Sequence, residues 1–329
     1  MKRHLIHNHT QEKSYKETLY WLSMPFLKYL FWKHSLFHIL FTTLLVCFQT
    51  IDVKCLIKYE VNTPECGTLI QNEEVITTQV DSAYINILSD ITVLRKGMLE
   101  LAEETYTFKL ADHNLEKIEI GAFDNQNITG IIDLDGNKLT VVASGTFKNL
   151  KIAILVLSYN EITHIEENAI TDMPNLTVVH LHRNKIVKFH DNSFFNTPKI
   201  WFFDIQYNEL SELDEKWFSF MEKEEALVLQ LGWSNIEIHP RTFDGISIRS
   251  LDLSYNKLNE YPGEIFTESL TELLLNNNTL EDLPDAFFHL KNLTALDISG
   301  NSLKCGTLQT LKKFAEENSL FIKYDNQNC

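Results

Sequence analysis

The sequence predicts an α/β solenoid, a curved parallel β-sheet horseshoe of about ten coils with a disulfide-bonded cap at each end. Three observations predict it. An eight-residue pattern, L-x-L-x-x-N-x-L, recurs through most of the chain. Its spacing is nearly constant. Apart from Cys47 in an apolar N-terminal run, the cysteines flank the repeat block and none lies inside it.

The full copies are IDLDGNKL (132–139), LVLSYNEI (155–162), VHLHRNKI (179–186), FDIQYNEL (203–210), LDLSYNKL (251–258), LLLNNNTL (273–280) and LDISGNSL (296–303). FKLADHNL (108–115) and LQLGWSNI (229–236) carry His113 and Ser234 in place of the asparagine, and INILSDIT (85–92) carries Asp90. The asparagine-equivalent positions fall at 90, 113, 137, 160, 184, 208, 234, 256, 278 and 301, in steps of 22 to 26 residues. That period and pattern read as leucine-rich repeats.

The residue types follow from the geometry. The two apolar residues of L-x-L share one strand face and point into the core, while the residue between them faces out. The chain must then turn, which leaves backbone groups inside that need partners. An asparagine amide donates and accepts, so a stacked column of them serves each coil and its neighbour. Later in the coil a second apolar set recurs, as in Leu139, Val142 and Phe147, Leu258, Tyr261 and Phe266, or Leu280, Leu283 and Phe288. These phenylalanines are expected to form a buried convex spine.

Four segments are expected: 1–54 as extension and signal peptide, 55–82 as N-terminal cap, 83–303 as repeats and 304–329 as C-terminal cap. Ser35 to Phe48 is an uncharged, mostly apolar run after Lys28 and Lys33, which reads as a secretory signal. A signal-anchor is the alternative, although the run is short for a membrane span. Met24 is an alternative start. After the signal, Cys55, Cys66, Cys305 and Cys329 remain, an even count that fits an oxidising compartment. Four cysteines allow three connectivities. A long array holds its ends apart, which favours Cys55–Cys66 and Cys305–Cys329; a bridge from Cys329 to another chain is the rival. In the front cap, Asn62-Thr63-Pro64 is a turn signal. In the back cap, Leu308, Leu311, Phe314 and Ala315 share one helical face, followed by strand-like SLFIKYD.

The formal net charge is −16, from 29 basic and 45 acidic residues. The first 50 residues are basic on balance, so the rest is more acidic still. Such a surface repels phosphate backbones and anionic membranes, so nucleic acid is not expected as a partner. No membrane span is expected in the mature chain. There is no H-E-x-x-H, no G-x-S-x-G and no glycine-rich phosphate loop. Neither enzyme activity nor a cofactor is expected.

The contact surface is expected on the concave strand face. The residue before each asparagine is Tyr159, Arg183, Tyr207, Trp233, Tyr255, Asn277 or Gly300, a column rich in hot-spot types. His180, His182 and Arg183 form a basic island beside Asp204, on a face read as otherwise acidic. The candidate protein-binding set is therefore His180, His182, Arg183, Asp204, Tyr207, Trp233 and Tyr255. Zinc would need Asp204 and His190 beside the two imidazoles; a solvated patch or pH-sensitive contact is the preferred reading, and no metal is expected. Sequons mark Asn127, Asn175, Asn277 and Asn292 for glycosylation. Asn175 and Asn292 lie nine residues before their repeat asparagine and Asn127 ten, so these three should line one edge. Asn277 should instead crowd the concave face.

The signal, the stack of about ten repeats and a C-terminal cap running from NSLKCGTLQTL to NQNC together resemble secreted leucine-rich immune proteins of mosquitoes. The resemblance covers roughly residues 55–329 and implies innate immune recognition or scaffolding. It implies complement-like thioester proteins, or another leucine-rich-repeat protein, as partners. Longer members of that group continue into a cysteine pair and a coiled coil, whereas this sequence stops at Cys329. It thus resembles a coil-less or truncated member of the group, which puts the group's disulfide-linked heterodimer in doubt. An adhesion or receptor-type ectodomain and an inhibitor of an extracellular enzyme are the alternatives.

Overall fold

The computed structural model describes residues 69–72, 75–78, 84–86 and 91–325, apart from 102–104, 191, 214–217, 219–225, 240–241, 244 and 263–268. The chain divides into units 1–65 and 66–329, and the described residues belong to the second. The apolar run at Ser35–Phe48, the front turn, Asp90, Phe266, Cys55, Cys66 and Cys329 lie outside the described residues.

Alternating L-x-L segments become strands because every second side chain can be buried and each strand borrows its hydrogen bonds from the next coil. An antiparallel hairpin, β1 (Leu69–Asn72) and β2 (Val75–Thr78), comes first. The main sheet follows as β3 (Tyr84–Asn86), β4 (Thr105–Lys109), β5 (Ile128–Asp133), β6 (Ile154–Val156), β7 (Val178–His180) and β8 (Phe202–Asp204). It continues through β9 (Leu227–Gln230), β10 (Ile248–Asp252), β11 (Glu272–Leu274) and β12 (Ala295–Asp297), then helix α1 (Cys305–Asn318) and strand β13 (Phe321–Lys323). Strands β3 to β13 form one eleven-stranded sheet in chain order, parallel throughout. The fold is a leucine-rich-repeat β-solenoid.

Register follows the motif. Asp133, Val156, His180, Asp204, Gln230, Asp252, Leu274 and Asp297 form one row across the sheet. Behind it, Ile132, Leu155, Val179, Phe203, Leu229, Leu251, Leu273 and Leu296 are fully buried. Burial of each such side chain stabilises the fold by about 1.5–3 kcal/mol before entropy is counted. The asparagine column is inward as expected. Asn184 donates to Leu157 O and Leu181 O at 2.9 Å each and accepts from Ile162 N at 3.0 Å, so one amide ties two coils. Asn137, Asn160, Asn208, Asn256, Asn278 and Asn301 repeat the arrangement. Ser234 does part of this work through longer contacts, 3.5 Å to Asn208 N and 3.4 Å to Gly232 O.

The convex spine corrects one residue. Phe147 is buried as predicted, and Phe194 is buried too, with Ile170 paired between them. In the last coil Phe287, not Phe288, fills the core. Asp285–His289 is a 3-10 turn after Pro284, and its tighter winding turns Phe287 inward. Phe288 is half-buried and packs on Phe287 and on Phe314 of α1, with ring centroids 5.5 Å apart in both pairs. Helix α1 lids the array with Leu308, Leu311, Phe314 and Ala315, all buried. Cys305 is disulfide-bonded, and its partner lies outside the described residues.

Candidate functional site: an aromatic ladder beside a buried polar strip

The residue before each repeat asparagine occupies a left-handed turn just past the strand. Tyr159, Arg183, Tyr207, Trp233 and Tyr255 have φ of 51–60°, as does Asn277, while Gly136 and Gly300 hold the same position at 66° and 69°. Left-handed backbone costs a residue with a Cβ about 1–2 kcal/mol, which glycine escapes. Five consecutive coils nevertheless carry large side chains there. Hydrogen bonds between coils impose the conformation: Arg183 N donates to Gln206 O at 2.9 Å and Trp233 N to Ser254 O at 2.9 Å.

The five side chains form a continuous stack. Arg183 lies over Tyr159 at 5.2 Å and over Tyr207 at 4.3 Å. Tyr207 and Trp233 stack at 5.1 Å and 14°, Trp233 and Tyr255 at 3.7 Å and 12°. Each such contact returns about 0.5–1.5 kcal/mol, which offsets part of the backbone cost. The ladder is rigid yet open: Tyr159, Trp233 and Tyr255 keep 40–42% of their surface exposed. A cleft of about 450 Å³ opens beside it, lined by Asn208, Glu209, Leu210, Ser211, Trp233, Ser234, Asn235 and Tyr255.

The adjoining strip of the sheet face is polar and largely buried. His182 Nδ1 lies 3.0 Å and His180 Nδ1 3.7 Å from Asp204 Oδ2, and Ser158 Oγ lies 3.1 Å from His182 Nδ1. Burial pushes the Asp204 carboxyl up, but the His180 and His182 contacts overcome it and hold the group at about 2. Gln206 Nε2 donates to Gln230 Oε1 at 2.9 Å and reaches two coils on to Asp252 Oδ2 at 2.7 Å. The intervening Gly232 leaves room, since a Cβ there would stand 3.0–3.3 Å from Ser254 and Asp252. Burial pushes Asp252 up to about 6, although Ser254 N donates to its Oδ1 at 2.8 Å. Burial, then neighbouring Asp133, pushes Asp135 up to about 7.

His180, His182 and Asp204 thus come together, and Arg183, Tyr207, Trp233 and Tyr255 form the ladder. Four sequence expectations change. The ladder column lies on the turns after the strands rather than on the strands themselves. His190 is not part of the cluster; its ring packs on His164 at 6.2 Å. The face read as acidic is not all solvated, because its Asp252 and Asp297 are buried. The basic island is not alone on the face: Lys109 pairs with Asp133 and Lys323 with Asp297, both at 2.7 Å. Tyr159, Ser158, Gln206, Gln230 and Asp252 were absent from the candidate set. The spacing could have found them, because they fall in the same repeat columns as the residues chosen. Asn175 and Asn292 are exposed and Asn127 half-buried, all just before strands, while Asn277 is exposed in the ladder column.

A leucine-rich-repeat family profile matches residues 130–181, 151–210, 174–231 and 246–303. Chicken (Gallus gallus) lumican is 30% identical over 216 residues, 60% of this chain and 61% of lumican. Mouse (Mus musculus) keratocan is 26% identical over 216 residues, 60% of this chain and 52% of keratocan. Drosophila melanogaster chaoptin is 30% identical over 171 residues, half of this chain and 13% of chaoptin. The chain spans less than two thirds of the length of these relatives. Human trophoblast glycoprotein superposes with a TM-score of 0.51 at 20% identity, covering 64% of this chain and 83% of that one. The chain is a leucine-rich-repeat protein. Its relatives are extracellular-matrix proteoglycans and adhesion or receptor proteins built from the same repeat. Among the described residues, no helix is long and apolar enough to cross a membrane.

Proposed function

We propose that this chain is a secreted, extracellular protein-binding solenoid whose contact surface is the ladder Tyr159–Arg183–Tyr207–Trp233–Tyr255. The observation that carries this reading is five large side chains held in left-handed backbone, four of them exposed and Tyr207 half-buried between Arg183 and Trp233. Strain of that kind persists where a surface is worth keeping in one shape. Pre-stacked aromatics and an immobilised arginine lose little entropy on binding, which suits them as hot-spot anchors. Binding rather than catalysis is the activity. Innate immune recognition or scaffolding, with a complement-like thioester protein or another leucine-rich-repeat protein as partner, is the finer reading and rests on the resemblance in repeats and cap. Matrix assembly or adhesion is the second reading, supported by the similarity to lumican, keratocan and chaoptin. The test is quantitative capture from the extracellular fluid of the source tissue, followed by mass spectrometry. Immobilised wild-type protein and a variant with Arg183, Tyr207 and Trp233 replaced by alanine are compared. A partner retained by the wild type and lost from the variant is expected; equal retention moves the contact surface elsewhere.

A further inference from the structure

Two imidazoles and a carboxylate converge on the sheet face beside the ladder. One ligand atom from each of His180, His182 and Asp204 lies within 4.8 Å of the others. The local sequence explains why. His180 and His182 are two apart, so both rings leave on one side. Asp204 sits in register with His180 on the neighbouring strand. Asp204 Oδ1 accepts from Gln206 N at 3.2 Å, which leaves Oδ2 facing the rings. The rings are themselves supported: Phe202 tilts on His180 and Tyr159 meets His182 edge-on, both at 5.3 Å.

Zinc held tetrahedrally by nitrogen and oxygen at about 2.0–2.1 Å sets adjacent ligand atoms roughly 3.3 Å apart. The 3.0 and 3.7 Å separations from Asp204 Oδ2 to the two Nδ1 atoms straddle that edge. A second observation is independent of the clustering. His180 Nδ1 is sealed from solvent without a hydrogen-bond partner, and 3.7 Å is too long for one. An orphaned buried nitrogen carries a desolvation cost that a cation bound there would remove.

We propose that His180, His182 and Asp204 bind one divalent transition cation of the zinc class. His180 Nδ1, His182 Nδ1 and Asp204 Oδ2 are the ligands, and the fourth position is left to water or to a partner's side chain. His190, the ligand that spacing suggested, takes no part. The site stands whether or not the ladder is the partner-binding surface.

The test uses the full chain freed of metal by a chelator and checked for an unchanged fold by circular dichroism. It is titrated with cobalt(II) chloride, read by visible absorption, and with zinc(II) chloride, read by calorimetry. One ion per chain is expected, with zinc displacing cobalt. His180→Ala and His182→Ala should each weaken zinc binding more than about 100-fold, beyond the 10–100-fold that loss of an outer partner costs. Asp204→Asn, which keeps the shape, should do the same, and His190→Ala should change nothing. The proposal is overturned by an absence of saturable zinc binding in the micromolar range. It is equally overturned by binding that survives both histidine substitutions, or that is lost in His190→Ala.

Discussion

Replacing Asn208 by leucine tests the register of the whole array. The side chain is 7% exposed, and its amide joins two coils. Nδ2 donates to Leu181 O at 3.0 Å and to Ile205 O at 2.8 Å, while Oδ1 accepts from Ile186 N at 2.9 Å. Leucine is close in size but offers none of these bonds, so the Ile205 carbonyl and the Ile186 N–H lose their partner, while Leu181 O keeps its bond from Asn184 Nδ2. Each unsatisfied group costs about 1–3 kcal/mol. Backbone adjustment and the added apolar surface recover part of the sum, which leaves a loss of about 2–4 kcal/mol. Against an ordinary stability of about 5–15 kcal/mol, that is a large fraction. Urea unfolding followed by circular dichroism measures it, and hydrogen exchange at the Ile186 amide localises it. A loss below about 1 kcal/mol, with Ile186 protection unchanged, would refute the inward column.

Other outcomes follow from the same geometry. Asp252 has an ordinary carboxyl value of 3.8 when unfolded and about 6 when folded, so the folded state holds its proton longer. Its contribution is most favourable below pH 4 and is lost as pH rises through about 6, a difference of roughly 3 kcal/mol. Melting temperature measured from pH 4 to 8 should therefore fall less steeply in Asp252→Asn than in the wild type, and parallel profiles would count against a buried carboxyl there. Non-reducing peptide mapping should find Cys55–Cys66 and Cys305–Cys329; a Cys66–Cys305 peptide would contradict the capped array. Glycopeptide mapping should find Asn127, Asn175 and Asn292 occupied. A glycan at Asn277, one coil beyond Tyr255, would block that end of the ladder, so removing it by Asn277→Gln should strengthen partner binding rather than leave it unchanged.

The coil architecture was legible because its cause is local. A turn that buries backbone groups needs an amide every 22–26 residues, and the sequence displays those asparagines directly. Phase alone therefore sets His180, Asp204 and Asp252 at one repeat position. The left-handed column was half legible: Gly136, Asn277 and Gly300 share a repeat position with Tyr159 and Trp233, and glycine and asparagine mark positive φ. What was not legible depends on contacts across more than one coil. Gln206 reaches Asp252 only because Gly232 between them has no side chain, a three-body relation that no spacing rule carries. Sequence proximity suggests His190 beside the histidine pair, yet ten residues past His180 the coil has already turned to its other side, where His190 meets His164. Phe287 and Phe288 could not be separated by period alone, since the 3-10 turn after Pro284 decides which one faces inward.

The most direct test of the central claim is the affinity of the captured partner for the Arg183, Tyr207 and Trp233 triple-alanine variant, beside a control at exposed Phe195 on the convex side. Hot-spot residues of this kind cost at least about 2 kcal/mol on truncation, or roughly thirtyfold in Kd. The account predicts at least that loss in the triple variant, with a melting temperature within a few degrees of the wild type, and wild-type affinity in Phe195→Ala. An unchanged Kd in a folded triple variant, or a loss that appears only on changing Phe195, would contradict it.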